Sequence, residues 1–177
     1  MYKYIIRFIM KKPVKILLFC LLSVAFISCD RVTKNIAKEQ LKNQPSISYL
    51  HDTFRLEYAE NTGAALNLGD SLPATASFWL LSILPLAIML GLFAYTVKNA
   101  RQMSFMKVFS LALIFSGGIG NISDRIAFNR HVTDFMILNF KSLHTGIFNV
   151  ADICVTAGAM GLLLFYNDRR NKNTVPA

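Results

Sequence analysis

Charge is scarce in this chain: Asp, Glu, Lys and Arg make up 16% of its 177 residues, against 54% hydrophobic. That balance excludes an ordinary water-soluble domain. Cysteine is scarce too. Cys20, Cys29 and Cys154 lack CxxC spacing, are odd in number and fall in or at the end of apolar runs. Small buried hydrophobes are expected there, not a disulfide frame or a metal site. His51, His131 and His144 form no HExxH helix pair, so no metal centre and no cofactor are expected. Gly117-Gly118-Ile119-Gly120 has no following Lys-Ser or Lys-Thr and lies in an apolar run, which suits close helix packing better than phosphate binding.

What the chain has in quantity is long apolar stretches. Four stand out: Val14 to Cys29, Ala74 to Val97, Ser104 to Ile122 and Ile147 to Tyr166. About 20 helical residues cross about 30 Å of hydrocarbon. The expected architecture is therefore an all-α membrane protein, one integral-membrane domain over residues 1–177, with four transmembrane helices near 14–32, 74–97, 104–124 and 147–166. The first run is short, but Lys15 can snorkel and the helix can continue past Cys29.

The net charge of +9 would suggest nucleic acid in a soluble protein. Its distribution says otherwise. Lys3, Arg7, Lys11, Lys12, Lys15, Lys98, Arg101, Lys107, Arg169, Arg170 and Lys172 stand with Asp168 on one side of the spans. The other 8 basic residues share the chain with 9 acids. The positive-inside rule makes both termini cytoplasmic, and the charge is a topology signal with no nucleic-acid partner implied.

Two outer connections carry structure of their own. Lys34 to Leu41 continues the first helix, Pro45 breaks it, and Ile47 to Tyr58 has strand character. Arg125 to Thr145 is too polar to span and too apolar to float, and reads as strand or short helix on the membrane surface.

A short repetition carries the chemistry: Asn121-Ile122-Ser123-Asp124 ends the third span and Asn149-Val150-Ala151-Asp152 begins the fourth. Residues three apart on a helix are neighbours, so each Asn is expected to donate to its own Asp. Helix rise puts both acids, and Asp30, at comparable depth near the outer boundary. Acids there are costly and mark functional sites. Two close carboxylates share a proton, giving one acid and one base, as in aspartic proteases. Asp124 and Asp152 are thus the candidate catalytic pair. Two other readings compete. A proton- or ion-coupled carrier would use the acids as a relay, but no acid continues the path in the cytoplasmic half of any span. A lipoprotein anchored at Cys29 is suggested by Phe26-Ile27-Ser28-Cys29 after a basic, apolar start.

Asp30-Arg31-Val32-Thr33-Lys34, Asn61-Thr62-Gly63-Ala64-Ala65, Gly117 through Arg125, and Phe148-Asn149-Val150-Ala151-Asp152 resemble, in order, the motifs of the lipoprotein signal peptidase (signal peptidase II) family. The resemblance implies an inner-membrane aspartic endopeptidase that removes the signal peptide of diacylglyceryl-modified prolipoproteins, cutting N-terminal to the lipidated cysteine. It implies Asp124 and Asp152 as catalytic residues, with Asp30, Lys34, Asn61, Gly63, Asn121, Arg125, Asn149 and Ala151 lining or supporting the site. It further implies a small outer β cradle, a monomer working among membrane lipids, and inhibition by globomycin-type cyclic peptides. Leu66 departs from the aromatic expected after Ala65, which bears on substrate or inhibitor fit near that loop.

Overall fold

The computed structural model describes residues 11–63, 72–140 and 143–165. The basic residues within 1–10 and 166–177, and Leu66, lie outside them, as does the end of the expected fourth span.

Pro13 opens helix α1 (Lys12–Leu41), where its missing N–H costs nothing. At about 1.5 Å per residue its 30 residues reach about 45 Å, enough to cross a bilayer and project beyond it. The helix passes unbroken through Cys29, which is exposed; Cys20 is half-buried and Cys154 buried. The expectation of buried cysteines therefore fails at Cys29, whose side chain points outward from the bundle.

Helix α2 (Ala74–Phe78) passes through a π-helical turn (Trp79–Ile83) into α3 (Leu84–Asn99) and a 3-10 turn (Ala100–Gln102). Pro85 explains the wide turn, because its ring clashes with the carbonyl four residues back and it has no N–H to donate there. Ser104 caps α4 (Phe105–Ala127), its hydroxyl accepting from the Lys107 N–H at 3.3 Å. Helix α5 (Val150–Leu164) follows the outer segment. Helix α1, the rod Ala74–Gln102 and α4 are long and apolar enough to cross a membrane; α5 is apolar but shorter over its described residues.

Helix α4 is the axis of the bundle and packs on α1, α3 and α5. Phe19, fully buried on α1, meets Phe115 at 5.4 Å and Phe93 at 6.0 Å between ring centroids, joining three helices. Against α5 the contact is close. A Cβ at Gly158 would lie 2.6 Å from the Ser110 carbonyl oxygen; on the side of α4 facing α1, one at Gly120 would lie 2.8 Å from an Asp30 carboxylate oxygen. The glycines serve helix packing. Outward on α1 and α3, Leu17, Leu21, Val24, Leu84, Ile88 and Leu90 are exposed, as lipid-facing positions require.

A four-stranded antiparallel sheet, order β1-β2-β3-β4, stands at the other end of α1. Its strands are β1 (Ile47–Tyr49), β2 (Phe54–Asn61), β3 (Val132–Phe140) and β4 (Leu143–His144). The molecule is thus mostly helical with a small sheet. The segment from Arg125, read as strand or short helix, extends α4 to Ala127 and then forms β3, an interior strand. Ala37 and Leu41 of α1 pack on Phe135, Leu56, Tyr58, Met136 and Val150, so burial of its apolar face holds the strand in the sheet. Leu56 pairs with Met136, but Ala59 pairs with Asp134, which leaves an extra β2 residue opposite Phe135. Such a bulge bends the strand and re-aims side chains.

Candidate active site

The site is built where α4 ends, α5 begins and the bulged sheet closes over both. Asn149 is the N-cap of α5, with an extended backbone (φ −131°). Its side-chain oxygen accepts the Asp152 N–H at 3.1 Å, and the Asp152 carboxylate accepts the Asn149 N–H at 3.0 Å, a reciprocal capping box. The remaining Asn149 amide N–H groups therefore face away from Asp152. They reach Asp134 Oδ1 at 2.6 Å and Asn121 Oδ1 at 3.1 Å.

Lys34 fixes the orientation of Asn121. Its ammonium, which can only donate, reaches Asn121 Oδ1 at 2.9 Å, Asp30 Oδ2 at 2.7 Å and Asp124 Oδ2 at 2.8 Å. The oxygen of Asn121 must face Lys34, so its NH2 faces α5 and donates to Asp152 Oδ1 at 2.8 Å. Asp152 thus accepts two N–H groups, from Asn121 and from the Asn149 backbone. Asp134 also accepts two, from Asn149 and from Asn61 at 3.0 Å.

Asp124 is elsewhere. It is fully buried, with Arg31 at 2.6 Å on one oxygen and Lys34 on the other. Asp30, held by Lys34, accepts the Ala151 N–H at 2.9 Å and so satisfies a free donor at the start of α5. Asp30, Arg31, Lys34 and Asp124 form a charge-balanced cluster that locks α1, α4 and α5 together.

A cleft of about 720 Å³ opens between the sheet and α5. Asn61, Asn121, Arg125, Asp134 and Asp152 form its polar end, and Ile153, Val155, Ala157 and Met160 its apolar wall. Asp30, Lys34 and Asp124 do not line it. Arg125 donates to the Gly63 carbonyl at 2.7 Å and to the Asn121 carbonyl at 3.3 Å, while the Gly63 N–H donates to Asn61 Oδ1 at 2.9 Å. Arg125 and Gly63 therefore hold the end of β2 over the cleft; among the described residues Arg125 hydrogen-bonds no carboxylate.

The expected Asn-to-Asp pairing holds in part: Asn149 stays beside Asp152 through the capping box and donates its backbone N–H to it, while the side-chain amides cross, Asn121 donating to Asp152 and Asn149 to Asp134. Asp134, absent from the sequence-derived pair, shares the cleft with Asp152. Burial raises its pKa to about 6, the hydrogen bonds from Asn61 and Asn149 oppose that rise, and the charge of Asp152 adds to it. The signal for Asp134 was present in the sequence: one acid inside an otherwise apolar, strand-like run from Val132 to Leu138.

Membrane-length helices beside a cleft that holds two hydrogen-bonded carboxylates define an integral membrane protein with a polar pocket at one end of its bundle. Residues 22–167 match the family model described as signal peptidase (SPase) II. The lipoprotein signal peptidase of Clostridium tetani is 38% identical over 151 residues, covering 81% of this chain and 92% of that protein. That of Chlorobaculum tepidum is 40% identical over 162 residues, covering 84% and 93%. A solved bacterial membrane enzyme superposes with a TM-score of 0.72 at 25% identity, covering 86% of this chain and 94% of that one. The chain belongs to the signal peptidase II family, and it is a membrane peptidase.

Proposed function

We propose that this peptidase removes the signal peptide from diacylglyceryl-modified prolipoproteins, cutting on the N-terminal side of the lipidated cysteine, and that Asp134 and Asp152 are its catalytic pair. The observation that carries the pairing is their common cleft: both carboxylates line it and both are held by Asn149, whereas Asp124 is committed to Arg31 and Lys34. Asp124 is then a structural anchor.

In this reading Asp134 holds the shared proton, because burial and the nearby Asp152 charge both favour its neutral form. Asp152 takes a proton from water as the water oxygen bonds to the scissile carbonyl carbon. Asp134 gives its proton to the carbonyl oxygen. The resulting gem-diol collapses with cleavage of the C–N bond: one of its hydroxyls returns a proton to Asp134, and the proton on Asp152 passes to the departing amine. The apolar wall along α5 suits the acyl chains of the substrate.

Topology follows the same reading. Four helices span the bacterial inner membrane with both termini cytoplasmic, and the cleft and sheet face outward. The basic Lys98–Lys107 hairpin at the opposite end of α4 supports this orientation. The enzyme acts as a monomer, and globomycin-type peptides compete for the cleft.

The test is cleavage of a diacylated precursor peptide by purified protein. Wild type is expected to release the signal segment, and Asp134→Asn and Asp152→Asn to abolish release while remaining folded. Full activity in either variant overturns the assignment.

A further inference from the structure

Strand β4 is the outer strand of the sheet, and the chain after it continues beside β3. The Thr145 N–H donates to the Leu138 carbonyl at 2.9 Å, and Phe148 and Met136 exchange N–H···O bonds, each 2.9 Å. Between these anchors two residues, Gly146 and Ile147, stand opposite only Ile137. Their N–H and C=O groups have no hydrogen-bond partner among the described residues. An unpaired stretch on a sheet edge is a template for another extended chain.

Its position gives that edge a use. Thr145, Gly146 and Ile147 line the cleft that contains Asp134 and Asp152. The same three residues line a second cavity of about 480 Å³, completed by Asp52, Arg55, Ile137, Asn139, Leu143 and His144. The two cavities thus share one wall. In the second cavity the Arg55 guanidinium is spent on Asp52, with contacts of 2.7 and 3.1 Å, and Asn139 donates to the Asp52 carbonyl at 2.9 Å. The charges cancel, which suits an uncharged polar side chain.

We infer that the substrate docks its backbone in extended form along Thr145–Ile147, as an added edge strand, and that the second cavity receives a side chain just C-terminal to the lipidated cysteine. The inference rests on the peptidase reading above. The apolar wall of the first cleft takes the lipid-bearing side, so the chain beyond the cysteine leaves across the shared wall. Alternation along an extended peptide places neighbouring side chains on opposite sides of that wall. Backbone pairing would let one enzyme process precursors of varied sequence, because main-chain groups are common to all.

The experiment uses diacylated precursor peptides, each N-methylated at one amide, with the full-length protein in detergent. Methylation at one of the first two residues after the cysteine is expected to lower kcat/KM at least tenfold, chiefly through KM, while methylation well beyond them is neutral. Ile147→Pro, which removes an edge N–H, is expected to cause a similar loss. Equal cleavage of all methylated peptides overturns the proposal. Should Ile147→Pro fail to fold, the methylation series on the unchanged protein decides alone. Failure of the unmodified peptide to be cut overturns the proposed prolipoprotein cleavage itself, and is distinguishable from the edge failing while cleavage persists.

Discussion

The side-chain amide of Asn149 lies 2.6 Å from Asp134 Oδ1 while its backbone N–H lies 3.0 Å from Asp152 Oδ2, so one residue holds both acids of the cleft. The capping box at the start of α5 thereby holds both acids of the proposed pair. Its consequence is a division of labour among three aspartates, each open to test.

Asp134→Asn and Asp152→Asn remove the proposed proton carriers without removing the shape of the side chain. Loss of one acid–base group is expected to lower cleavage by about a thousandfold or more. Melting temperature in detergent checks that the proteins remain folded, and rates on a diacylated precursor peptide measure the loss.

Asp124→Asn should behave differently. It leaves Arg31 and one donor of Lys34 short of their buried counter-charge. Breaking a buried pair costs about 3–5 kcal/mol, which lowers the melting temperature by roughly 10 °C. The fraction that remains folded keeps measurable turnover. A well-folded but inactive Asp124→Asn protein would restore Asp124 to the catalytic pair.

These contrasts show what sequence reasoning could reach. Membrane-length helices follow from apolar runs and the strands from β-favouring residues after Pro45, because both depend on local patterns. The pairing of acids does not. Asn121 and Asp124 are three residues apart, about 60° from alignment on a helix, and that angle is enough to face α5 in one case and α1 in the other. Asn149 is not helical at all, so spacing rules for helix faces do not govern it. Asp134 was legible as an acid in an apolar run, but its place beside Asp152 depends on the β2 bulge, which is a tertiary fact.

Asp134 also gives a pH signature in stability. Its folded pKa, about 6, lies above the ordinary 3.8, so the folded state binds the proton more tightly than the unfolded chain. Stability from this group is full below pH 3.8, is lost as pH rises to about 6 and is flat above. The total is on the order of 3 kcal/mol. Thermal melting of wild type against Asp134→Asn between pH 4 and 7 checks it: the difference between the two should change across that window. A constant difference would contradict the shift.

Two glycines separate packing from mere helix propensity. At Gly91 on α3 an added Cβ meets nothing within 4 Å, so Gly91→Ala removes backbone freedom at no steric cost. It should raise stability by about 0.5–1 kcal/mol. At Gly158 on α5 the same methyl meets the Ser110 carbonyl oxygen at 2.6 Å and Ile114 Cγ1 at 2.7 Å. Backbone cannot step aside as a side chain can, so Gly158→Ala forces α5 away from α4 and should cost about 1–3 kcal/mol. Because α4 carries Asn121 and α5 carries Asp152, separation also lengthens the 2.8 Å hydrogen bond between them. Gly158→Ala should therefore lose activity beyond its loss of folded protein, while Gly91→Ala keeps full turnover. Paired melting and cleavage measurements check both, and equal behaviour of the two variants would remove the close α4–α5 contact from the account of the site.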